Sequence, residues 1–574
     1  MLGFARKKRA EQRTHGKIRC RLNVEMLEQR AVPATITLAG AGRFQDVGTA
    51  SLVYRGGDNY TALNLRSAII GANNLGGPDT IVLETGTYTM DGSAGQFLVS
   101  DPSGTLTILN GAGGVSTIDA QGQCRVLLNQ SSLSLSGLKI EHGLASDRGG
   151  AIFNNGTLNI TNCQFVHNEA LGGYDGAPVQ GGAIFTNANR ILNVRNTSFT
   201  GNVAQGGVSS FLLGGTGAAA GGALFFGGGA GVFADNIVAC TFVGNEAIGG
   251  NATVFNGFGA RGGVGAGGGI FAQAGNYDLN VINATFAANV AQGGHGALGD
   301  GGAAAGGGLY LQTGGLGTTR LVNDTIARNL ANGGQGGGAL ASPGVGSGGG
   351  VADDLVGLQI AKVINTIVAK NDANATNDVD GVFASLGSNL IGDIGSSAGF
   401  GAALGDFVGS TRAPLDPGLD PLGNYGGPTQ TFRPGVGSLA IDRGDSSVVT
   451  GPLGLTTDQR GHARRSGSAV DIGAYEVIIP GQDKSYTLRQ GSTLTTSGIN
   501  GLLAGYHNPL HKSVTVQLVP RTGPITGVLT LHGNGTFSYA PPKSFHGTIA
   551  FQFRVLVDGQ QVDVFTASIS VTKT

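Results

Sequence analysis

GGAIFNNGTLNITNCQFVHNEALGG, residues 149–173, is the first of six copies of one pattern in this chain of 574 residues. Every copy opens with two glycines, a small residue, an aliphatic residue and usually an aromatic one, and these openings lie at 149–153, 181–185, 221–225, 267–271, 306–310 and 348–352. Five copies continue with an apolar residue three positions before an asparagine: Phe165 and Asn168, Phe199 and Asn202, Phe242 and Asn245, Phe286 and Asn289, Ile326 and Asn329. We interpret the sixth copy as slipped, with Ile367 followed by Lys370 and then Asn371. An Asn-x-Ala-x-Gly-Gly segment closes the five regular copies, so three elements keep one order.

One copy has the length of a single turn of a coil built from short strands. From the first glycine to the asparagine the regular copies take 19 to 24 residues, and strands of about 5–6 residues are usual. Helical repeats run to about 34 residues and tolerate much less glycine. Five positions before the recurrent Phe or Ile stand Ile160, Val194, Ile237, Val281 and Leu321, with Lys362 as the exception in the sixth copy. We predict an all-β fold, a right-handed parallel β-helix followed by a small β-sandwich.

Stacking gives each constant residue a role. Equivalent positions in neighbouring coils lie about 4.8 Å apart, so the apolar residues should form continuous buried columns. Paired glycines permit a sharp bend between two faces, and asparagine at a turn tolerates left-handed backbone angles and can hydrogen-bond its own stacked neighbours. The Gly/Ala-rich insertions after each asparagine should loop out from one side. Cys163 and Cys240 belong to the first and third copies, too far apart for a disulfide, so we expect buried, reduced thiols.

Composition and charge exclude several classes of protein. Glycine supplies 106 residues, hydrophobic residues 40% and charged residues 12%, whereas a disordered chain carries more charge and less apolar matter. The formal net charge of −1 hides a basic tail, because residues 1–30 hold nine Lys or Arg and three acids. A basic tail without Trp offers little surface to nucleic acid, which we exclude as a partner. Phe211–Ala234 is uncharged but rich in glycine, so we predict no membrane span.

Two segments resemble β-helical surface proteins. Gly-Gly-Ala-Ile followed by Phe-x-x-Asn, over about 149–371, resembles the repeat of polymorphic outer membrane proteins, which implies a parallel β-helix with an adhesive role. The stretch from Asn64 through Ile69 and on to Tyr88 looks like the CSLREAI segment that opens such proteins, with Ser67 in place of its glutamate and Asn64 in place of its Cys or Ser. Residues 63–74 should form a short helix that caps the open end of the coil, since exposed sheet edges need cover.

Three further segments resemble extracellular modules. Asp420–Asp445, TDQRGHARR at 457–465 and Asp471–Glu476 resemble the choice-of-anchor Q module, with Leu439 where proline is usual. The first 34 residues are similar to the planctomycete extracellular-protein leader, which implies export, although they lack the apolar core of an ordinary signal peptide. Residues 527–559 resemble a bacterial cadherin-like or immunoglobulin-like sandwich. The acid-free segment Leu503–Lys512 argues against calcium in that domain.

These features divide the chain into five segments. We predict a basic, disordered leader at 1–34, an N-terminal cap with the first coils at 35–145, glycine-rich β-helix repeats at 146–384, C-terminal coils with the anchor-like module at 385–479, and the sandwich at 480–574.

Candidate catalytic residues are few. Right-handed β-helices include pectate lyases and polygalacturonases, which need convergent carboxylates with an Arg or Lys nearby. His295, Asn323-Asp324 and Asp353-Asp354 resemble pieces of polygalacturonase motifs, but their order differs and no Arg-x-Lys follows, so we interpret them as ladder or loop positions. A group of charged residues in the anchor-like module is interpreted as the ion pairs of a terminal cap: Asp442, Asp458, Arg460, Arg464, Arg465, Asp471 and Glu476. We predict no catalytic or cofactor-binding residue.

The strongest metal candidate is a cluster of oxygen ligands: Asp372, Asn374, Asp378 and Asp380. Such ligands at alternate positions can wrap calcium, a hard cation. An EF-hand loop has a glycine and a closing glutamate at fixed positions, and this segment has neither residue at the corresponding position. We therefore predict no metal cofactor, with calcium at these four residues as the alternative.

The sequence favours a secreted or cell-surface protein with a binding, adhesion or structural role. Stacked sheets offer flat, repetitive surfaces, so we expect a polysaccharide or a surface protein as partner. The alternative is a carbohydrate-active lyase or glycoside hydrolase of the right-handed β-helix class.

Overall fold

A computed structural model describes residues 33–573, except for 41, 47, 112, 174–175, 209–216, 232, 256–257, 314, 357–358, 436, 478–482, 505–512, 521–525 and 558. Most of the predicted leader, with Cys20, and most of the acid-free segment Leu503–Lys512 lie outside these residues. No helix in the described part of the chain is long and apolar enough to span a bilayer.

Three long sheets, parallel apart from one N-terminal hairpin pairing, wrap around one apolar interior. Sheet 1 has thirteen strands, which follow each other in space in the order Val53–Gly56, Asn59–Ala62, Thr35–Leu38, Thr80–Leu83, Thr105–Asn110, Ser132–Ser136, Thr157–Thr161, Ile191–Arg195, Ala234–Val238, Asp278–Ile282, Thr319–Val322, Ala361–Ile364 and Phe383–Gly387. Sheet 2 has eleven: Gly86–Thr89, Ser116–Asp119, Leu138–Glu141, Gln164–Val166, Ser198–Thr200, Thr241–Val243, Thr285–Ala287, Thr325–Ala327, Ile367–Ala369, Leu390–Ile391 and Phe407–Val408. Sheet 3 has nine: Phe97–Val99, Leu127–Asn129, Ile152–Asn154, Ile184–Thr186, Leu224–Phe226, Ile270–Ala272, Leu309–Leu311, Val351–Asp353 and Val379–Asp380. The predicted parallel β-helix is confirmed.

The recurrent phenylalanines stack in one buried column, as predicted. The ring centroids of Phe165, Phe199, Phe242 and Phe286 follow each other at 5.0, 4.8 and 4.6 Å, with nearly parallel planes. Ile326 continues this column, and its partner in the sixth copy is Val368. The predicted slip of the sixth copy is therefore wrong. Val363, and not Lys362, pairs with Leu321 in sheet 1.

The recurrent asparagines form a buried ladder between sheet 2 and a fourth sheet, sheet 4, whose strands follow the asparagines. From Asn202 onward, each side-chain oxygen accepts the backbone N–H and the side-chain Nδ2–H of the preceding asparagine, as between Asn202 and Asn245 at 3.1 and 2.9 Å. Each Nδ2 also donates to a carbonyl oxygen one coil back, as Asn245 does to Phe199 at 3.0 Å. The ladder runs through Asn168, Asn202, Asn245, Asn289, Asn329 and Asn371. It satisfies polar groups that burial would otherwise leave without partners.

The paired glycines meet two separate demands. Gly181, the first of its pair, has φ +68°, which a side chain would strain. Gly182 lies so close to the next coil that an added Cβ would overlap the carbonyl oxygen of Gly222. The first glycine therefore makes the turn and the second allows close stacking.

The insertions do leave from one side, but their described residues form a side layer of short strands instead of open loops. Sheet 4 contains Leu144–Ala145, Glu169–Leu171, Val203–Gln205, Glu246–Ile248, Val290–Gln292, Leu330–Asn332 and Asp372–Ala373, and sheet 5 contains Val179–Gln180, Ala219–Ala220, Gly265–Ala266, Ala304–Ala305 and Gly346–Ser347. A thin core of mostly alanine side chains lies between these sheets. Val254–Phe255 and Phe258–Gly259 add a short hairpin.

Beyond that core, glycine backbones bond directly to one another. Gly263 donates to Gly250, Gly294 to Gly263 and Gly302 to Gly294, each at 2.8 Å. An added Cβ on Gly250 or Gly294 would overlap a neighbouring glycine carbonyl. The Gly-Gly that ends each copy is thus required by packing and not by flexibility.

The N-terminal helix is present close to its predicted bounds, as Leu65–Leu75. The Asn64 side chain accepts the Ser67 N–H at 2.9 Å and so caps the helix. Leu65, Ala68 and Ile69 pack into the same apolar core as the first strands. Among the residues that the structure describes, the other helical segments are Ser447–Thr450 and the 3₁₀ turns Gly92–Ala94 and Ala402–Leu404.

The C-terminal domain is a small sandwich of two sheets over one apolar core. One sheet has the order Lys484–Arg489, Gln560–Thr572, Gly547–Val557 and Val514–Leu518, and the other has the order Leu494–Thr495, Phe537–Ala540 and Val528–Leu531.

The anchor-like segment lies against the side of the coil and is not the terminal cap that we predicted. We call residues 415–477 the lateral module. The Gln459 side chain accepts from the Thr285 hydroxyl at 2.6 Å and donates to the Thr241 hydroxyl at 2.8 Å. The Ala474 N–H donates to the Thr325 hydroxyl at 3.0 Å. These threonines occupy one outward column of sheet 2, so the module covers that sheet over several coils.

A carboxyl group interrupts the buried leucine column of sheet 1. Asp235 is buried in register with Leu279 and accepts the Leu192 N–H at 2.6 Å. Desolvation raises the pKa of Asp235 to about 8 from 3.8. The folded chain therefore holds this proton over a pH range in which the unfolded chain has lost it.

We expect the free energy of unfolding to fall as the pH rises from about 4 to about 8. Below this range Asp235 is protonated in both the folded and the unfolded chain. Within it the unfolded chain releases the proton more readily, which favours unfolding. Asp235→Asn keeps the acceptor for Leu192 and removes the titration. Between about pH 5 and about pH 7.5 the wild-type chain should lose about 3 kcal/mol more unfolding free energy than this variant. Urea unfolding at both pH values checks this. Equal losses in the two proteins would show that Asp235 ionises normally.

Candidate ligand-binding face

The outer face of sheet 1 carries a regular row of amides. Asn193 donates to Asn159 at 3.0 Å, Asn236 to Asn193 at 2.8 Å and Asn280 to Asn236 at 3.1 Å. Arg320 extends the row by donating to Asn280 at 3.2 Å. All five side chains are half-exposed. The strands' alternation produces this row, because each asparagine lies between two inward-facing residues, which are apolar except for Asp235 beside Asn236.

A shallow polar groove of about 310 Å³ runs beside the amide row across four coils. Its walls come from the first residues of the sheet 1 strands and the turns before them: Pro102, Gly104, Gln130, Ser131, Ser132, Asn155, Gly156, Thr157, Asn189, Arg190 and Ile191. The Arg190 Nε donates to Asn155 at 3.1 Å, and the side chain remains exposed. Thr157 lies two residues before Asn159, so groove and amide row share one face. These lining residues offer amides, hydroxyls and one guanidinium.

The structure does not bring together the four predicted calcium ligands. Asp372 lies exposed in sheet 4, and Asp380 lies in sheet 3. Asp378 is buried, accepts from the N–H and Nδ2 of Asn371 at 2.8 and 2.9 Å, and thereby ends the asparagine ladder. Desolvation raises the pKa of Asp378 to about 6. Asn374 accepts the Gly346 N–H.

The three fragments that resemble polygalacturonase motifs are also apart. His295 is exposed in the side layer, where its Nδ1 accepts the Gln335 N–H at 3.0 Å. Asp324 is fully buried at the turn between sheets 1 and 2, accepting the N–H groups of Ala284 and Val322, and desolvation raises its pKa well above the ordinary value. Asp353 belongs to sheet 3. Their interpretation as ladder and loop positions agrees with these places.

The charged residues of the lateral module hold its turns together. Arg460 pairs with Asp458 at 2.7 Å and stacks on the Tyr475 ring at 3.4 Å. Arg464 is buried and donates to the carbonyl oxygens of Asp471 and Gly473. Asp471 accepts the Asp442 N–H, Glu476 accepts the Ser466 and Asp471 N–H groups, and Arg465 donates to Ser468. Burial raises the pKa of both Asp471 and Glu476 above their ordinary values.

An outward aromatic column on sheet 3 is only partly accessible. Phe153, Phe185, Phe225, Phe271 and Tyr310 stack with centroids 4.9 to 5.3 Å apart. Phe185 and Phe225 are 3% and 2% exposed. The column therefore offers a ligand no continuous stacking surface.

Sequence reasoning missed one grouping of metal-ligating side chains. Asp119, Glu141 and His142 place one ligand atom each within 4.8 Å of one another. Asp119 and Glu141 are direct partners in sheet 2. Both strands precede the first Gly-Gly opening at Gly149, so their register was hidden in the sequence. Cys124, Cys163 and Cys240 are free thiols, as predicted for the last two.

No model of a known protein family matches this chain, and no curated protein is detectably similar to it.

Proposed function

We propose that this chain is a secreted or cell-surface protein whose β-helix binds an extended polysaccharide along the outer face of sheet 1. The observation that carries this proposal is the groove at Ser132, Thr157 and Ile191 beside the amide row. Amides and hydroxyls exchange hydrogen bonds with sugar hydroxyls, and a few placed polar groups orient a ligand. The row repeats once per coil, which suits a polymer of repeating units.

The proposed location and adhesive role rest on resemblance. The repeats resemble those of adhesive surface proteins, the leader resembles an extracellular one, and the lateral module resembles an anchoring module. An antibody raised against the native chain should label intact cells if the location is right. Labelling only after permeabilisation would contradict it.

Binding is favoured over cleavage by the chemistry of the groove. Glycosidases use paired carboxylic groups beside the scissile bond. The described lining of this groove contains no carboxylate, and Arg190 supplies its positive charge. A lyase or hydrolase remains an outcome that the binding experiment can detect.

Arg190→Ala should weaken binding to the best ligand of a polysaccharide panel by about tenfold, since a charged hydrogen bond contributes about 1.5–3 kcal/mol. Calorimetry or biolayer interferometry of the full chain measures this. Arg412→Ala is the matched control, because Arg412 is exposed and is not among the groove residues.

Two outcomes contradict the proposal. Equal affinities of the Arg190 and Arg412 variants would place the ligand elsewhere. Shortening of the polysaccharide during incubation, seen by size-exclusion chromatography, would favour the enzyme.

A further inference from the structure

Two acidic side chains stack in register on the outer face of sheet 2. Asp119 ends the strand Ser116–Asp119, Glu141 ends the strand Leu138–Glu141, and the two residues are direct neighbours across the ladder. Like charges at directly opposed positions are destabilising. Lys139 contacts Glu141 at 2.5 Å and offsets one of the two negative charges. The same column continues as Val166 and Thr200, so the acids are confined to these coils.

A histidine completes the group. His142 Nδ1 lies 3.0 Å from Asp119 Oδ1. The backbone of His142 is fixed in a left-handed turn with φ +51°, between a bond from its N–H to Val166 and one from the Gly122 N–H to its carbonyl oxygen. Asp119 is fixed as well, because its Oδ1 accepts the Gln121 N–H at 2.8 Å. The donor atoms are therefore placed by the ladder and its turns.

The group is open to solvent. His142 is exposed, and Asp119 and Glu141 are half-buried. The lateral module covers sheet 2 from Thr241 onward, several coils away. His167, one coil on, stacks parallel to His142 with centroids 6.4 Å apart and is exposed too.

We propose that Asp119, Glu141 and His142 bind a divalent transition-metal ion of the zinc class. Imidazole with carboxylates suits such ions, and three protein ligands leave a position for water or a ligand. Ligand distances of about 2.0–2.2 Å put tetrahedral donors about 3.4 Å apart. The three donor atoms already lie within 4.8 Å of one another, so small side-chain rotations suffice. This site is independent of the groove on sheet 1.

The test is a titration of the full-length, chelator-treated chain with Zn²⁺ by calorimetry, with Co²⁺ absorption as a readout of coordination. His142→Asn keeps a residue that tolerates the left-handed turn, and Glu141→Gln keeps size while it removes charge. Each should weaken the Zn²⁺ Kd about tenfold or more, because even outer-shell partners contribute that much. His295→Asn is the matched control at an exposed histidine in the side layer and should bind like wild type.

Loss of one Zn²⁺ equivalent and of the Co²⁺ bands in both variants, but not in the control, supports the site. Unchanged Zn²⁺ binding in both variants overturns it. Circular dichroism of the metal-free proteins confirms that each variant is folded, and the use of two substitutions at different residues keeps the test decisive if one fails to fold.

Discussion

Asn245→Ala should destabilise the β-helix by about 3 kcal/mol or more, since it leaves several buried polar groups without partners. The Asn245 oxygen accepts from the N–H and Nδ2 of Asn202, and its Nδ2 donates to Asn289 and to the Phe199 carbonyl. Each orphaned buried group costs about 1–3 kcal/mol. Urea unfolding of the two proteins measures the difference.

Asn236→Ala is the control, because Asn236 lies in the same coil and also bonds to an asparagine on each side, but on the half-exposed outer face. Water replaces its lost partners, so its effect should stay within about 0.5 kcal/mol. A similar effect of both substitutions would mean that the inner ladder is not shielded from water.

Phe242→Ala should cost about 3–5 kcal/mol, the usual range for removing a fully buried phenylalanine. Phe242 is completely buried between Phe199 and Phe286, at 4.8 and 4.6 Å. Rigid coils on both sides limit how far the cavity can collapse. Thermal or urea unfolding measures the loss.

The matched substitution is Phe271→Ala, because Phe271 also stacks between two aromatic rings, at 5.1 and 4.9 Å. Phe271 points outward on sheet 3 and is half-exposed, so its removal should cost less than half as much. A larger loss of unfolding free energy for Phe271→Ala than for Phe242→Ala would contradict the assignment of Phe242 to the interior of the coil and of Phe271 to its outer face.

Much of the fold could be predicted from the sequence, because each stacked column requires the same type of residue at the same position of every copy. The Phe165, Phe199 and Phe242 column, the asparagine ladder and the buried thiols followed from the repeat alone. The helix at Leu65–Leu75 was readable from a local pattern.

Features that depend on tertiary packing were not readable. In the sixth copy, Ile367 was aligned with the inward phenylalanine column although Val368 occupies that position. Ile367 faces outward, and it is apolar because the lateral module packs on it. Asp378 was predicted as a possible metal ligand because the neighbouring sequence does not indicate that its carboxylate accepts the last hydrogen bonds of the asparagine ladder. The side layer was taken for loops, since glycine allows both flexibility and close backbone packing.

The candidate sites show the same division. The amide row could be predicted from the alternation of Asn159 and Asn193 with their apolar neighbours. Its exposure to solvent could not, because that exposure depends on where the lateral module packs. Asp119 and Glu141 became neighbours only when the register of the first coils was known.

The central claim is that the copies stack as one continuous coil, and spin-label distances along one column of sheet 1 test it most directly. Ser134, Arg320 and Lys362 lie in this column. With Cys20 and Cys124 replaced by serine, labels at 134 and 320 span five strand spacings, about 24 Å, and labels at 134 and 362 span six, about 29 Å. We expect narrow distance distributions that lengthen by about 5 Å per coil. Distances that do not increase with the number of coils would contradict the account.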